Sequence, residues 1–345
     1  MLKGFLFAAL ACLLWGTHYV IPNFAPGFST PEIIFGRYLV FGLFSLCLAL
    51  IKKKAAGFDM KTLPSFKMIL TLAFLGFFMY DILEISNVRT NGSEAVGLIY
   101  GLVLLMSPMA IRLIAKKRLP DRTDWLNLIF PLCGLIVLEW EILDSLFDAG
   151  WPLCWALAIF QACLWVFYTR EMAVSTQGSP EPEKAASNVT IMIGLTCLVL
   201  SVFGWCYYIL MVDMPTLSYF HEHSSSDWLL FLCSSLLSGI GINWLATHLW
   251  CVASIRVPST FLSCMLLGDV VAAKIYELIL SENTLSPFHI AGIAMLLSSG
   301  ALIRFFGADY EQDPSLENIQ ITLHEPSIEQ NPSSIIEAPV PVYEM

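Results

Sequence analysis

The chain has 345 residues, of which 57% are hydrophobic and only 13% are charged, and its mean hydropathy is +0.70. Soluble proteins carry about a quarter of their residues as charged side chains, because their surface must be hydrated, so this composition excludes an ordinary soluble enzyme and indicates a polytopic membrane protein. The net charge of −10 does not indicate nucleic-acid partners, because no basic patch is present and eight of the acidic residues lie in residues 307–345.

Ten apolar segments follow one another along the chain, and most of them approach the roughly 20 residues that an α-helix needs to cross a bilayer. Their predicted bounds are residues 4–21, 32–51, 66–85, 92–115, 124–139, 151–168, 189–212, 228–250, 258–280 and 288–306. The first segment lacks a small-residue cleavage site followed by a polar mature domain, so we expect a retained span and not a removed signal peptide. The expected fold class is an all-α membrane protein with ten transmembrane helices.

The positive charges support this count of spans. If both termini are cytoplasmic, 15 of the 18 lysine and arginine residues lie in the segments on the cytoplasmic side, as the positive-inside rule requires. A missed or invented helix would remove this asymmetry, because every later loop would change side. We therefore expect ten spans with both termini in the cytoplasm.

The two halves of the chain share short patterns. Trp15 and Tyr19 at the end of the first segment have counterparts in Trp165 and Tyr168 at the end of the sixth. Since five spans per half is an odd number, a duplicated second half inserts upside down relative to the first. We predict two inverted five-helix repeats at residues 1–141 and 149–306, followed by a disordered, acidic cytoplasmic tail at residues 307–345.

Three short motifs carry a resemblance to a known family. They are Trp15-Gly16, Arg37 after the stretch 31–36, and the stretch 282–292 that leads into the last segment. With these motifs the chain resembles the drug/metabolite transporter superfamily in its EamA-type ten-helix form. The resemblance implies alternating access to a central cavity lined mainly by spans 1, 3, 4, 6, 8 and 9, and it favours a bacterial inner membrane. The chain departs from the family pattern at Asp121-Arg122 and in the link 170–187, which is longer and charged.

The third segment carries the clearest candidate for a binding surface. On a helix, one face would contain Phe74, Phe77, Phe78, Asp81, Glu84 and Ile85. Aromatic rings attract cations through their quadrupole and carboxylates pair with them, so this face suits a cationic solute. Alternatively, the two carboxylates lie near the outer water interface and pair with Arg89 or Arg37. For Arg37, a structural ion pair with Asp81 and capture of a substrate carboxylate are both open.

Segments 1 and 6 place aromatic rings and polar groups at matching positions. These residues are Trp15, His18 and Tyr19 in the first segment and Gln161, Trp165 and Tyr168 in the sixth. Such pairs suit stacking walls for a planar ligand such as a nucleobase. The alternative is that the tryptophan and tyrosine rings are interfacial anchors.

Segments 8 and 9 add further polar candidates. The eighth contains Asn243, Trp244, Thr247 and His248, aligned with residues 80–84 of the first half. His248 is either a proton site or a helix-packing histidine. Asp269 in the ninth segment is the less explained charge, since Lys274 and Glu277 lie three residues apart on a helix and can neutralise each other.

The predicted substrate site consists of thirteen residues: Trp15, Tyr19, Arg37, Phe77, Tyr80, Asp81, Glu84, Trp165, Tyr168, Asn243, Trp244, His248 and Asp269. We predict no catalytic residue, metal or cofactor. His221 and His223 lack further fixed ligands, and no phosphate-binding glycine loop occurs.

The expected function is secondary active transport of a small polar metabolite that is partly aromatic or cationic. The chain resembles most the subset of the superfamily that imports S-adenosylmethionine in obligate intracellular bacteria, and that resemblance implies exchange for S-adenosylhomocysteine. Two alternatives stay open: an amino-acid or drug exporter of the same superfamily, and a non-transporting membrane scaffold whose acidic tail recruits partners. The expected partners are the small-molecule substrate and membrane lipid, and the oligomeric state is left open.

Overall fold

The computed structural model describes residues 2–54, 64–114, 122–141, 143, 151–177, 181–211, 223–257, 265–280 and 284–306. Across these ranges every regular element is a helix and no strand occurs. The expectation of an all-α membrane protein is therefore confirmed. The predicted disordered tail lies outside the described residues.

Ten long helices account for most of the described chain. They are α1 Leu2–Gly16, α2 Thr30–Lys54, α3 Phe66–Asn91, α4 Ser93–Ile114, α5 Arg122–Leu138, α6 Trp151–Gln177, α7 Pro182–Met211, α8 Ser225–Ser254, α9 Leu267–Leu280 and α10 Pro287–Phe306. A 3₁₀ turn Thr17–Tyr19 and a short helix Ile21–Phe24 follow α1. By length and composition, five of the described helices are apolar enough to cross a membrane, namely α1 with its 3₁₀ turn, α2, α3, α7 and α8.

The structure corrects the predicted link between the sixth and seventh spans. The charged link predicted at residues 170–187 is mostly helical, because α6 runs on to Gln177 and α7 already begins at Pro182. Hydropathy marks only the part of a helix that lies in hydrocarbon, so it misses such polar extensions. The predicted start of the ninth span, residue 258, lies outside the described residues, and the described helix α9 covers Leu267–Leu280.

Serine side chains mark the starts of three helices. The Ser65 hydroxyl accepts a hydrogen bond from the Met68 N–H at the start of α3. Ser224 and Asp227 form a reciprocal capping box at the start of α8. At the start of α2, the N–H and hydroxyl of Ser29 donate to a Glu32 oxygen at 2.6 and 2.7 Å. Each cap satisfies N–H groups that the first helical turn leaves without partners.

The long helices pack in reciprocal pairs. α2 packs along α7 and α5 along α10, while α1 contacts α8 and α9 and α6 contacts α3 and α4. Exchanging the first five helices with the last five maps the α2–α7 and α5–α10 contacts onto themselves and the contacts of α1 onto those of α6, as a two-fold relation between the halves would produce. The repeat boundaries themselves stay a prediction.

Small residues allow the closest of these approaches. A Cβ added to Gly16 would lie 2.8 Å from the Ala273 nitrogen of α9, and one added to Gly292 would lie 2.6 Å from the Leu138 backbone. Helices in membranes commonly associate through such positions, because van der Waals packing replaces the hydrophobic effect there.

Two helices contain π-helical segments at corresponding places in the two halves. The segments are Phe74–Met79 in α3 and Leu237–Ala246 in α8. A π turn inserts extra residues into the helix and changes the direction in which the side chains around it point. This corrects the predicted face of the third segment, because Phe74 is 48% exposed while Phe77, Phe78 and Asp81 are buried.

Candidate functional site

The helices enclose a cavity inside the bundle. The space in it that is open to water-sized molecules has a volume of about 50 Å³. Its wall is formed by α1 and its 3₁₀ turn, α3, α4, α6, α8 and the start of α9. These are the six spans that the family resemblance implies, three from each half.

Ten of the thirteen predicted site residues lie in the wall of this cavity. They are Trp15, Tyr19, Phe77, Tyr80, Asp81, Glu84, Trp165, Tyr168, Asn243 and Asp269. The structure thus brings together most of the predicted site, although the role of each residue in substrate binding stays a prediction.

Arg37, Trp244 and His248 are not part of the cavity wall. The Trp244 and His248 rings stack at 5.3 Å, and Trp244 also contacts the Phe44 ring of α2 edge-on at 5.2 Å. Asn243 and Thr247, each one position earlier on α8, face the cavity instead. One position on a helix turns a side chain by about 100°, which explains why neighbouring residues separate in this way.

Asp81 is held by two donors from α2. Arg37 Nη1 and the Tyr38 hydroxyl both donate to Asp81 Oδ2, each at 2.5 Å. Arg37 is fully buried, so this is an ion pair inside the bundle. The two alternatives for Arg37 were an ion pair with Asp81 and capture of a substrate carboxylate, and the structure contains the ion pair. Arg89 is not the partner; it donates instead to the carbonyl oxygens of Ala25 and Phe28.

His18 links this ion pair to Glu84. Its Nε2 lies 3.0 Å from Arg37 Nη1 and its Nδ1 lies 2.9 Å from Glu84 Oε2. Because arginine can only donate, Nε2 must accept and the proton of a neutral imidazole must sit on Nδ1, where it is donated to Glu84. A continuous chain of hydrogen bonds therefore joins α1, α2 and α3.

The aromatic residues of the wall touch one another. Trp15 and Trp165 meet edge to face with ring centroids 5.3 Å apart, and Trp165 lies 5.7 Å from Tyr168 and 6.1 Å from Tyr80. A sandwiched planar ligand would need about 7 Å between parallel rings, twice the usual 3.5 Å contact. The predicted stacking walls are thus closed in this conformation, and both tryptophans line the cavity.

Two elements of the site escaped the sequence analysis. Tyr100 of α4 lines the cavity and accepts a hydrogen bond from the Tyr80 hydroxyl at 2.5 Å. It lies within the apolar stretch 95–106, so nothing in the sequence distinguishes it. His18 lies near Trp15 in the sequence but is not among the thirteen predicted site residues. Its contacts with Arg37 and Glu84 depend on the 3₁₀ turn that follows α1.

A second buried charge network lies away from the cavity. Lys274 Nζ lies 2.5 Å from Glu94 of α4 and 3.2 Å from Glu139 at the end of α5. The predicted partner, Glu277, is farther away at 3.9 Å. Local spacing suggested the pair within α9, whereas the closer partners come from the other half of the chain.

Three described residues lie close enough together to form a possible metal site. Ligand atoms of His18, Asp81 and Glu84 lie within 4.8 Å of one another. Arg37 carries a permanent positive charge in contact with two of these residues, which opposes binding of a divalent cation. His221 lies outside the described residues, and His223 contacts the Gly27 carbonyl at 3.1 Å.

Comparisons with known proteins bear on both fold and family. Residues 2–140 match the EamA-like transporter family. Over 312 residues the chain is 24% identical to the inner membrane protein YtfF of Escherichia coli (strain K12), covering 86% of this chain and 93% of that protein. A solved crystal structure superposes with a TM-score of 0.65 at 17% identity, covering 90% of this chain and 99% of the other, which shows the shared fold. The chain is therefore an all-helical membrane protein whose residues 2–140 match the EamA-like transporter family.

Proposed function

We propose that this protein is a secondary active transporter that moves a small polar metabolite by alternating access. The observation that carries the proposal is the cavity between α1, α3 and α4 of the first half and α6, α8 and α9 of the second. Ionisable groups inside a membrane bundle are costly and mark solute or ion pathways. Transporters built from two repeats place their sites at this kind of interface.

Transport requires the cavity to change size. A buried water needs about 10–15 Å³ of such volume, so about 50 Å³ holds only a few water molecules. Admitting a metabolite means separating the rings of Trp15 and Trp165, which belong to different halves. The π-helical segments of α3 and α8 flank the cavity, and helices commonly bend at such segments. We propose these two segments as the hinges.

The proposed orientation has both termini in the cytoplasm of a bacterium. Its support is the distribution of lysine and arginine among the loops. The similarity to an inner membrane protein supports the choice of membrane.

The proposed substrate is S-adenosylmethionine, taken up in exchange for S-adenosylhomocysteine. This solute combines a positively charged sulfonium, an amino-acid group and an adenine ring. The rings and carboxylates of the cavity wall suit such a combination, because aromatic faces attract cations and stack on planar bases.

Counterflow into liposomes tests this proposal directly. Purified full-length protein is reconstituted, the vesicles are loaded with unlabelled S-adenosylhomocysteine, and uptake of labelled S-adenosylmethionine is followed. We expect labelled solute to accumulate only in loaded vesicles that contain the protein. Equal uptake by loaded and empty vesicles would contradict exchange, and uptake no faster than in protein-free vesicles would contradict this substrate.

The two alternatives give different outcomes. An exporter of amino acids or drugs would move those solutes in the same vesicles and ignore the adenosyl compounds. A scaffold would move no solute, and its cellular role would depend on residues 307–345. A transporter without these residues should keep its activity.

A further inference from the structure

Three polar atoms in the cavity wall have no hydrogen-bond partner among the described residues. They are Asp269 Oδ1, Asn243 Nδ2 and the Tyr168 hydroxyl. Their residues are only 5%, 3% and 4% exposed, so bulk water does not satisfy them in this conformation. Buried polar groups are nearly always paired in folded proteins, and unpaired ones that meet in one cavity call for a ligand.

The other two carboxylates of the wall are already engaged. Asp81 accepts from Arg37 and Tyr38, and Glu84 is hydrogen-bonded to His18. The charge of Asp81 is already balanced by Arg37, and one oxygen of Glu84 is already hydrogen-bonded to His18, so both acids have less to gain from a substrate cation than an acid without such a partner. Asp269 has no cationic partner among the described residues and is the acid free to receive a charge.

Burial disfavours the charged form of Asp269, and backbone N–H groups at the start of α9 offset part of that cost. The residue lies in the first turn of α9, where free N–H groups carry a partial positive charge that stabilises a carboxylate. The aromatic residues Trp15, Tyr19 and Tyr100 line the same cavity. A carboxylate among aromatic rings is the arrangement that recognises ammonium and sulfonium groups.

The remaining two atoms define the rest of the ligand. Asn243 Nδ2 can only donate, and the Tyr168 hydroxyl can donate or accept. Both therefore suit an acceptor group such as a carboxylate. The donors come from α8 and α6 and the acid from α9, so all three groups belong to the second half of the chain.

We infer that Asp269 is the counter-ion for a cationic group of the substrate, and that Asn243 and Tyr168 bind an acceptor group of the same molecule. The inference rests on the proposed function and narrows its substrate to small zwitterions or to cations with a hydrogen-bond acceptor. Asp81 and Glu84 then position helices and do not bind the solute's charge.

Three small probes of similar shape test the two subsites separately. Choline and 3,3-dimethyl-1-butanol differ only in the positive charge, whereas glycine betaine adds a carboxylate to the trimethylammonium group. Affinities are measured with purified full-length protein from the change in tryptophan fluorescence. We expect the wild type to bind choline with about tenfold higher affinity than the neutral alcohol, and betaine with about tenfold higher affinity than choline. Each difference corresponds to the free energy of one charge-assisted hydrogen bond or less.

Matched variants assign these preferences to residues. Asp269→Asn should abolish the preference for choline over the neutral alcohol, and Asp269→Glu should keep most of it. Asn243→Ala should remove only the advantage of betaine over choline. Glu277→Gln removes an acid from the same helix about two turns later, outside the cavity, and should change neither preference.

An unchanged choline preference in Asp269→Asn would overturn the inference, as would a wild type that binds none of the three probes. Transport is measured separately on the same preparation. If vesicles transport solutes while Asp269→Asn keeps the preference, only the inference fails. If charge-selective binding is present but no tested solute crosses the membrane, the inference holds and the proposed function fails.

Discussion

At the scale of single residues, the protein pairs the buried cations Arg37 and Lys274 with carboxylates of other helices. Arg37 is fully buried and reaches both Asp81 and His18 through one nitrogen, while its Nε and Nη2 have no partner among the described residues. Lys274 is likewise buried among carboxylates of other helices. Burying a cation without a partner is costly, and pairing with a carboxylate offsets part of that cost. The pairs also fix which helices can be neighbours.

Arg37→Leu tests the importance of the Asp81 pair for stability. The substitution leaves the buried Asp81 carboxylate without its cationic partner, so we expect a loss of about 3–5 kcal/mol. The thermal unfolding midpoint of the purified protein in detergent is the measurement. Lys184→Ala is the matched control, because its ion pair with Glu181 at 2.9 Å is largely exposed and should be worth at most about 1 kcal/mol. Equal shifts in the two variants would show that the buried pair has no special role.

Residue contacts were only partly predictable from the sequence. The Arg37–Asp81 pair was one of two alternatives, because both residues lie in the outer part of adjacent spans and carry opposite charges. The bond from His18 to Glu84 was not foreseen, since it depends on a 3₁₀ turn whose position no pattern indicates. Asp269 was singled out as unexplained, and it is the acid of the wall that lacks a cationic partner among the described residues.

At the scale of elements, helix geometry decides which side chains meet. The prediction for α3 assumed 3.6 residues per turn throughout, and the π segment Phe74–Met79 breaks that assumption. It therefore placed Phe74 on the same face as Asp81, whereas Phe74 is largely exposed. The π segment of α8 similarly brings Asn243 into the cavity. Contacts between helices also depend on glycine residues such as Gly16 and Gly292. A hydropathy profile does not identify these residues as contact positions.

Gly16→Ala tests the close contact of α1 with α9. An added Cβ would lie 2.5 Å from Ala272 Cβ and 2.8 Å from the backbone oxygen of Asp269, and backbone atoms cannot move aside independently. We expect a loss of about 1–3 kcal/mol, seen as a lower thermal unfolding midpoint.

Gly97→Ala is the control for this experiment. Its added Cβ would meet only Val270 Cγ1 at an ordinary 3.7 Å, so a change within about 1 kcal/mol is expected, with the gain in helix propensity acting in its favour. If Gly16→Ala were as stable as Gly97→Ala, the packing of α1 against α9 would have to be looser than described.

At the scale of the whole molecule, the all-helical membrane fold was the most predictable feature. A bilayer fixes the length of a crossing helix and forbids unpaired backbone inside it, so long apolar segments predict helices. The count of ten spans stays a prediction, because five of the described helices are long and apolar enough to cross a membrane. The lengths of α6 and α7 beyond the membrane were not predictable, because polar helix and polar loop look alike in hydropathy. The closing of the cavity by contact between Trp15 and Trp165 was also unforeseen, since it depends on how the two halves meet.

The most direct test of the account is whether water and solutes reach the cavity wall. Asn243→Cys is made in a protein whose ten native cysteines are replaced by alanine or serine, and its reaction with a charged, water-soluble methanethiosulfonate is timed from each side. The reagent attacks thiolates, which form only in water. Leu237→Cys is the control, because this apolar side chain is 43% exposed on the same π segment and does not line the cavity, so we expect it to face lipid. Alternating access predicts that the Asn243→Cys thiol reacts from both sides and much faster than the Leu237→Cys thiol; reaction no faster than that of the control from either side would contradict it.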